Sequence, residues 1–155
     1  HARTGRSRSA RGQPRLCREH AADSRDRQER MSVLRQPIPD KLVVLTFDDG
    51  SISQLRNAGP LMKELGFGGT FFITEGLKIP EDKLLPAEER TFMTWPEVRE
   101  LEVMGEGRFE IANHTEHHAG VVGLSHDELV AELAVIDKRC EEHGLPPTST
   151  FCYPG

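Results

Sequence analysis

The chain has 155 residues, 36% of them hydrophobic and 29% charged, with a net charge of −5; that length suits one domain, and the composition excludes a wholly disordered chain. No window reaches the roughly 20 apolar residues of a transmembrane helix, and the Arg-rich start lacks the apolar stretch of a secretory signal. Neither a membrane span nor export is therefore expected, and a cytoplasmic location is the default.

The charge is unevenly spread. Residues 1–36 hold ten Arg and no Lys against four acidic side chains, a net +6, whereas residues 37–155 hold ten basic against 21 acidic side chains, a net −11. A basic tail of this kind can bind nucleic acid or an anionic surface. Residues 1–30, however, have no apolar periodicity and no aromatic ring, and too little apolar surface to offset chain entropy. The expectation is a disordered Arg-rich segment over 1–36, outside the native coding sequence up to residue 30, with the natural start at Met31 and no nucleic-acid partner. One partial domain then fills 37–155. Cys17, Cys140 and Cys152 are widely spaced with no CxxC pair, which argues for ordinary reduced thiols over a disulfide framework or a thiolate zinc site.

Lys41–Phe47 (KLVVLTF) is a continuous apolar, β-branched run, the pattern of a strand buried on both faces of a parallel sheet, and it ends on Asp48, Asp49 and Gly50. From Ser53 to Leu65, Leu55, Ala58, Leu61, Met62 and Leu65 recur at helical spacing, with Gly66 as the stop. Pro60 inside this pattern implies a late helix start or a kink. Gly69–Thr74 (GTFFIT) reads as a second buried strand. Glu75–Arg90, with two Pro and many charges, reads as a long loop. Thr94 caps a helix whose stripe runs through Val98, Leu101 and Met104 to Gly105. Arg108–Ala112 is a third strand. Ser125 and Glu128 form a capping box for a helix that turns Leu129, Leu133, Ile136 and Cys140 inward and stops at Gly144. Thr148–Tyr153 is a fourth strand candidate. This alternation implies βαβ crossovers and a parallel sheet or α/β barrel; a closed barrel needs roughly 200 or more residues.

In such architectures the site forms at the carboxyl ends of the strands. Three clusters fall there: Asp48 and Asp49, then Asn113 to His118, then Tyr153 to Gly155. Adjacent carboxylates repel, so keeping both ionised requires a nearby cation or several donors. Two imidazoles and a carboxylate make a nitrogen-nitrogen-oxygen set that suits zinc, cobalt or iron in a catalytic site. One Asp can bind the ion while its neighbour stays free as a base. His117, three residues after His114, competes with His118 for the ligand role. Trp95 could stack on a sugar ring or pack in the core, His126 and His143 read as surface residues, and a nucleophilic Cys152 would leave the Asp and His clusters without purpose.

TFDDG at Thr46–Gly50 and HTEHH at His114–His118 resemble the first two motifs of the polysaccharide deacetylases, the NodB-homology carbohydrate esterases. FCYPG at Phe151–Gly155 resembles the start of their third motif, and GTFFIT also fits. The resemblance implies an α/β fold: the first part of a distorted (β/α) barrel of the NodB-homology type, truncated after about four strands. It implies Asp48 as general base, Asp49, His114 and His118 as metal ligands, Thr115 as the residue that holds the histidine loop, and the Gly155 backbone N–H as an oxyanion donor. The implied cofactor is zinc, with cobalt also fitting, and the implied reaction removes acetyl groups from an N-acetylated glycan, cleaving a non-peptide C–N bond, or from acetyl xylan. Cys152 stands where many members have an Arg that orients the base. The family's fourth and fifth motifs, with the general-acid His, lie beyond residue 155, so the fragment alone is expected to be inactive. Two other readings are a small-molecule amide hydrolase on the same fold and a non-catalytic carbohydrate-binding relative.

Overall fold

Apolar and aromatic runs form three parallel strands, β1 (Thr46–Phe47), β2 (Gly69–Ile73) and β3 (Phe109–Asn113), in the order β1-β2-β3. The computed structural model describes residues 40–77 and 86–155. The segment expected to be disordered, the expected start at Met31 and residues 78–85 of the long loop lie outside the described residues. The chain divides into two units, His1–Leu42 and Val43–Gly155; of the first, Asp40 and Lys41 form a turn. The rest of this description concerns the second unit.

The register sets Thr46 opposite Thr70, and Phe71 opposite Ile111. Phe47 stacks on Phe71 at 4.9 Å between ring centroids, and Phe71 meets Phe109 edge-on at 5.3 Å, so one aromatic row crosses all three strands. Such pairs add to the stabilisation that comes from burying the rings. Helices cover this face: Phe71 and Ile73 pack in one cluster with Met93, Val98, Leu101 and Ile136.

The first strand departs from expectation. Only Thr46 and Phe47 pair with β2, and Val43 and Val44 are 76% and 71% exposed instead of buried. The physical reason is position. β1 lies at the sheet edge, and among the described residues no strand pairs with its other side, so the apolar pattern of an interior strand finds one neighbour where it needs two.

After β1 the chain is helical from Ile52, passes through a π-helical turn at Gln54–Ala58, and continues as α1 (Gly59–Leu65). This resolves the conflict at Pro60. A proline has no N–H to donate and its ring crowds the preceding turn; the widened turn lets the Gly59 N–H reach the Gln54 carbonyl, five residues back, and Pro60 then sits in the first turn of α1, where a donor is not required. Gly66, with φ 73, closes the helix in the left-handed conformation. Gly59 lies where a Cβ would come within 2.9 Å of the Leu101 side chain, so α1 can approach the next helix closely.

That helix, α2 (Trp95–Met104), begins with the expected cap at Thr94, reinforced by an ion pair the sequence did not reveal. Glu97 accepts from the Thr94 N–H and hydroxyl, and both its oxygens receive Arg90 nitrogens at 2.6 Å. Burial pushes the Glu97 carboxyl up, but the Arg90 and Thr94 bonds outweigh it and hold it at about 2, against 4.5 for a free carboxyl. Because the folded value lies below the unfolded one, this stabilisation is complete above about pH 4.5 and disappears as pH falls towards 2, a change on the order of 3 kcal/mol. Urea unfolding midpoints across that window should fall less steeply for Glu97→Gln than for the parent; parallel slopes would remove Glu97 from the acid response.

The last helix, α3 (His126–Glu142), carries the predicted Ser125–Glu128 capping box and buries Ile136 and Cys140. Thr148–Tyr153 lies beside β3 as expected of a fourth strand, but only Asn113 and Phe151 form a bridge. Asn113 N–H donates to the Thr150 carbonyl, and Cys152 N–H donates to that of Asn113. Short as it is, this pairing brings Cys152 to the end of β3.

Candidate metal-binding active site

The turn after β1 is left-handed at two consecutive residues, Asp49 (φ 71) and Gly50 (φ 73). Aspartate tolerates this conformation better than most side chains. Pairing of Ser51 with Phe92 and the bond from Met93 N–H to the Gly50 carbonyl hold the turn against the segment before α2, and Gln54 Nε2 donates to the Asp48 carbonyl at 2.6 Å. The result separates the two carboxylates. Asp48 is exposed, while Asp49 turns inward and its Oδ1 is buried.

The histidine loop follows β3. His114 N–H donates to the Ile73 carbonyl, and the side chain is 2% exposed. His118 is half-buried, and the two rings meet edge-on with centroids 4.9 Å apart. His114 Nε2 lies 3.4 Å and His118 Nε2 3.0 Å from Asp49 Oδ1. Asp49, His114 and His118 thus converge from two strand ends, and each offers one ligand atom within 4.8 Å of the others.

The donors fit a divalent ion. His114 Nδ1 lies 3.0 Å from the Cys152 carbonyl oxygen, an acceptor, so the neutral ring carries its proton on Nδ1 and turns the Nε2 lone pair towards Asp49. Two lone pairs then face each other across 3.4 Å, and Asp49 Oδ1 is a buried oxygen with no hydrogen-bond partner. A cation shared between them removes both problems. Ligand atoms about 2.0–2.1 Å from a zinc stand roughly 3–3.5 Å apart, which is the spacing of these pairs. A backbone carbonyl behind the second ring nitrogen is the usual device for orienting a ligating imidazole.

The loop holds unusual backbone to achieve this. Thr115 (φ 68) and His118 (φ 53) are both left-handed, a conformation that costs of order 1–3 kcal/mol at a non-glycine residue and persists only where surrounding contacts enforce it. Thr115 was expected to hold the loop, but its buried hydroxyl has no partner. The holding is done by others. Asn113 Oδ1 accepts the Thr115 N–H while Asn113 Nδ2 donates to the Leu133 carbonyl on α3, and Thr74 Oγ1 donates to the Glu116 carbonyl at 3.1 Å.

His117 does not join the triad. Its Nδ1 lies 2.8 Å from Glu132 Oε1 and 3.6 Å from Glu116 Oε2; the Glu132 bond, then the two carboxylate charges, raise its pKa. His126 is exposed as expected, whereas His143 is half-buried and stacks on Trp95 at 5.7 Å. Trp95 is buried in the core and donates its Nε1–H to Glu75. Burial, then the Asp48 charge, pushes the Cys152 thiol up. Gly155, the last residue, is exposed beside buried Pro154.

The parallel sheet brings two imidazoles and a carboxylate together at the carboxyl ends of its strands, and likeness to known proteins gives the family. The family model for polysaccharide deacetylase matches residues 35–155. The chain belongs to the polysaccharide deacetylase family. Solved structures agree in fold: the Streptococcus pyogenes deacetylase PplD in complex with acetate (22% identity, TM-score 0.60, 83% of this chain and 53% of that one) and IcaB from Ammonifex degensii (26%, 0.60, 77% and 53%). A de-N-acetylase from Aggregatibacter actinomycetemcomitans is 28% identical, with TM-score 0.55 over 73% of this chain and 55% of that one. The chain thus spans about half the length of these structures. No curated protein matches it. No helix among the described residues is long and apolar enough to cross a membrane.

Proposed function

We infer that the chain supplies the first part of the active centre of a metal-dependent carbohydrate deacetylase, with Asp49, His114 and His118 holding the ion. Zinc suits this ligand set first and cobalt second. The observation that carries the reading is the buried, unpartnered Asp49 Oδ1 with two imidazole nitrogens at 3.0 and 3.4 Å. When bound there, a divalent ion polarises an acyl carbonyl and lowers the pKa of a water.

The chain's own residues supply the remainder. Asp48, the exposed neighbour of Asp49, accepts the proton of the attacking water. The Gly155 N–H donates to the carbonyl oxygen as it gains negative charge. His114 is held in orientation because the Cys152 carbonyl takes its other ring nitrogen. Cys152 brings no cation to Asp48, and among the described residues Asp48 is held through its carbonyl, which accepts from Gln54 Nε2 and the Gly50 N–H.

The substrate class proposed is an N-acetylated glycan, with acetyl xylan as an ester counterpart; family membership and the deacetylases named among the structural neighbours support it. The test is acetate release by a complete domain carrying this chain. N-acetylated chito-oligosaccharides, peptidoglycan or acetyl xylan should yield acetate, and dipicolinate should suppress the yield until zinc is restored. Turnover confined to cyclic amides would assign the fold to small-molecule hydrolysis, and no turnover with a full-strength zinc site would assign it to carbohydrate binding.

A further inference from the structure

We propose that Glu132, on α3, is a positioning residue that sets the second histidine of the site by gripping the backbone in front of it. This rests on the metal reading given above. Glu132 Oε2 accepts the His117 N–H at 3.0 Å, and Oε1 receives His117 Nδ1 at 2.8 Å. Its side chain is 15% exposed whereas that of His117 is 64% exposed, so the carboxylate is the buried partner and the ring the solvated one. Burial pushes the Glu132 carboxyl up, and the His117 and Glu116 backbone and ring donors more than offset it, holding it ionised at neutral pH.

The geometry gives this grip a purpose. Thr115 and His118, at the two ends of the Glu116–His117 pair, are both left-handed, so the peptide between them needs restraint from outside. One side of it is tied to the end of β2, where Thr74 Oγ1 and Gly76 N–H both donate to the Glu116 carbonyl. The other side is tied to α3 by Glu132. Gly76 fits because a Cβ there would come within 3.1–3.2 Å of the Glu116 carbonyl and the His117 Cα. Since His118 is the next residue, releasing the His117 N–H lets its φ relax and carries Nε2 away from Asp49. His114 is insulated from this motion by its own bond to the Cys152 carbonyl.

Zinc affinity of the full chain, measured by competition with a chromophoric chelator, tests the proposal, together with the visible spectrum of the cobalt form. Glu132→Ala and Glu132→Gln remove the same negative charge, but the Gln amide oxygen can still accept the His117 N–H. Glu132→Ala should bind zinc about 10–100-fold more weakly and shift the cobalt bands. Glu132→Gln should recover most of that loss, and His117→Ala, which keeps the backbone N–H, should stay within about threefold of the parent. Should the Ala variant fold poorly, Glu132→Met, which keeps the side-chain length and offers no oxygen to the His117 N–H, takes its place with the same weakening expected, and parent-like zinc affinity in it overturns the proposal. Equal zinc affinity in Glu132→Ala and parent overturns the proposal, as does a Gln variant no better than Ala. If the parent itself binds no zinc, the metal reading fails, a result distinct from either.

Discussion

His114→Ala is expected to leave the protein without a stoichiometric divalent ion. The substitution removes one of two imidazole donors from a site where the ring is 2% exposed and already oriented by the Cys152 carbonyl, so no solvent ligand enters with comparable preorganisation. It also takes the imidazole donor from the Cys152 carbonyl and opens a cavity where the ring was 2% exposed, and an unpartnered buried polar group costs about 1–3 kcal/mol. The variant should therefore melt at a lower temperature even without metal. Zinc per chain after dialysis, read by atomic emission beside the melting curve, separates the two effects. In a complete domain, loss of several kcal/mol of electrophilic stabilisation corresponds to a fall of roughly 1000-fold or more in deacetylation. Retention of one zinc per chain would contradict the ligand assignment.

The second large effect separates the neighbouring aspartates. Asp48→Asn in a complete domain should lower kcat by about 100- to 10,000-fold, the range for loss of a general base, with zinc content unchanged. Asp49→Asn should lose the zinc as well. The basis is the turn at the end of β1, which exposes the Asp48 side chain and buries Asp49 Oδ1 against the two imidazoles. Asp48 is tied to the fold through its carbonyl, which Gln54 holds, so an isosteric amide leaves that bond intact. Equal loss of metal in the two variants would collapse the distinction between base and ligand.

Much of this site was legible because its residues sit in contiguous clusters at strand ends. An apolar strand followed by two aspartates, and a strand followed by His114 to His118, bring the two clusters to one end of the sheet once the strands are parallel. The residues left His117 and His118 in competition and the family resemblance implied His118; in the structure His117 turns to Glu132 while His118 turns to Asp49. What the sequence concealed are partners brought together by the fold. Glu132 is 15 residues from His117, and the Cys152 carbonyl is 38 residues from the His114 ring; no local pattern marks a backbone oxygen as the support of an imidazole. Asn113 stood in view at the head of the motif, yet its role depends on the Leu133 carbonyl of a later helix.

The fold shows the same division. Caps at Thr94 and Ser125 are local chemistry and were read correctly. The Arg90–Glu97 pair that strengthens the first of them required knowing how the preceding loop returns. Strand burial was misjudged at Val43 and Val44, because an apolar pattern states what a strand needs and not which neighbours it has. At Pro60 the sequence signalled a disturbance, and the π-helical turn at Gln54–Ala58 is the form it takes.

Anomalous diffraction at the zinc edge, from crystals of the zinc-loaded protein, locates the ion without reference to turnover. The expected peak lies between Asp49 Oδ1, His114 Nε2 and His118 Nε2 and disappears in His114→Ala. A peak on Glu116, His117 and Glu132 instead, with those three atoms empty, would contradict the account.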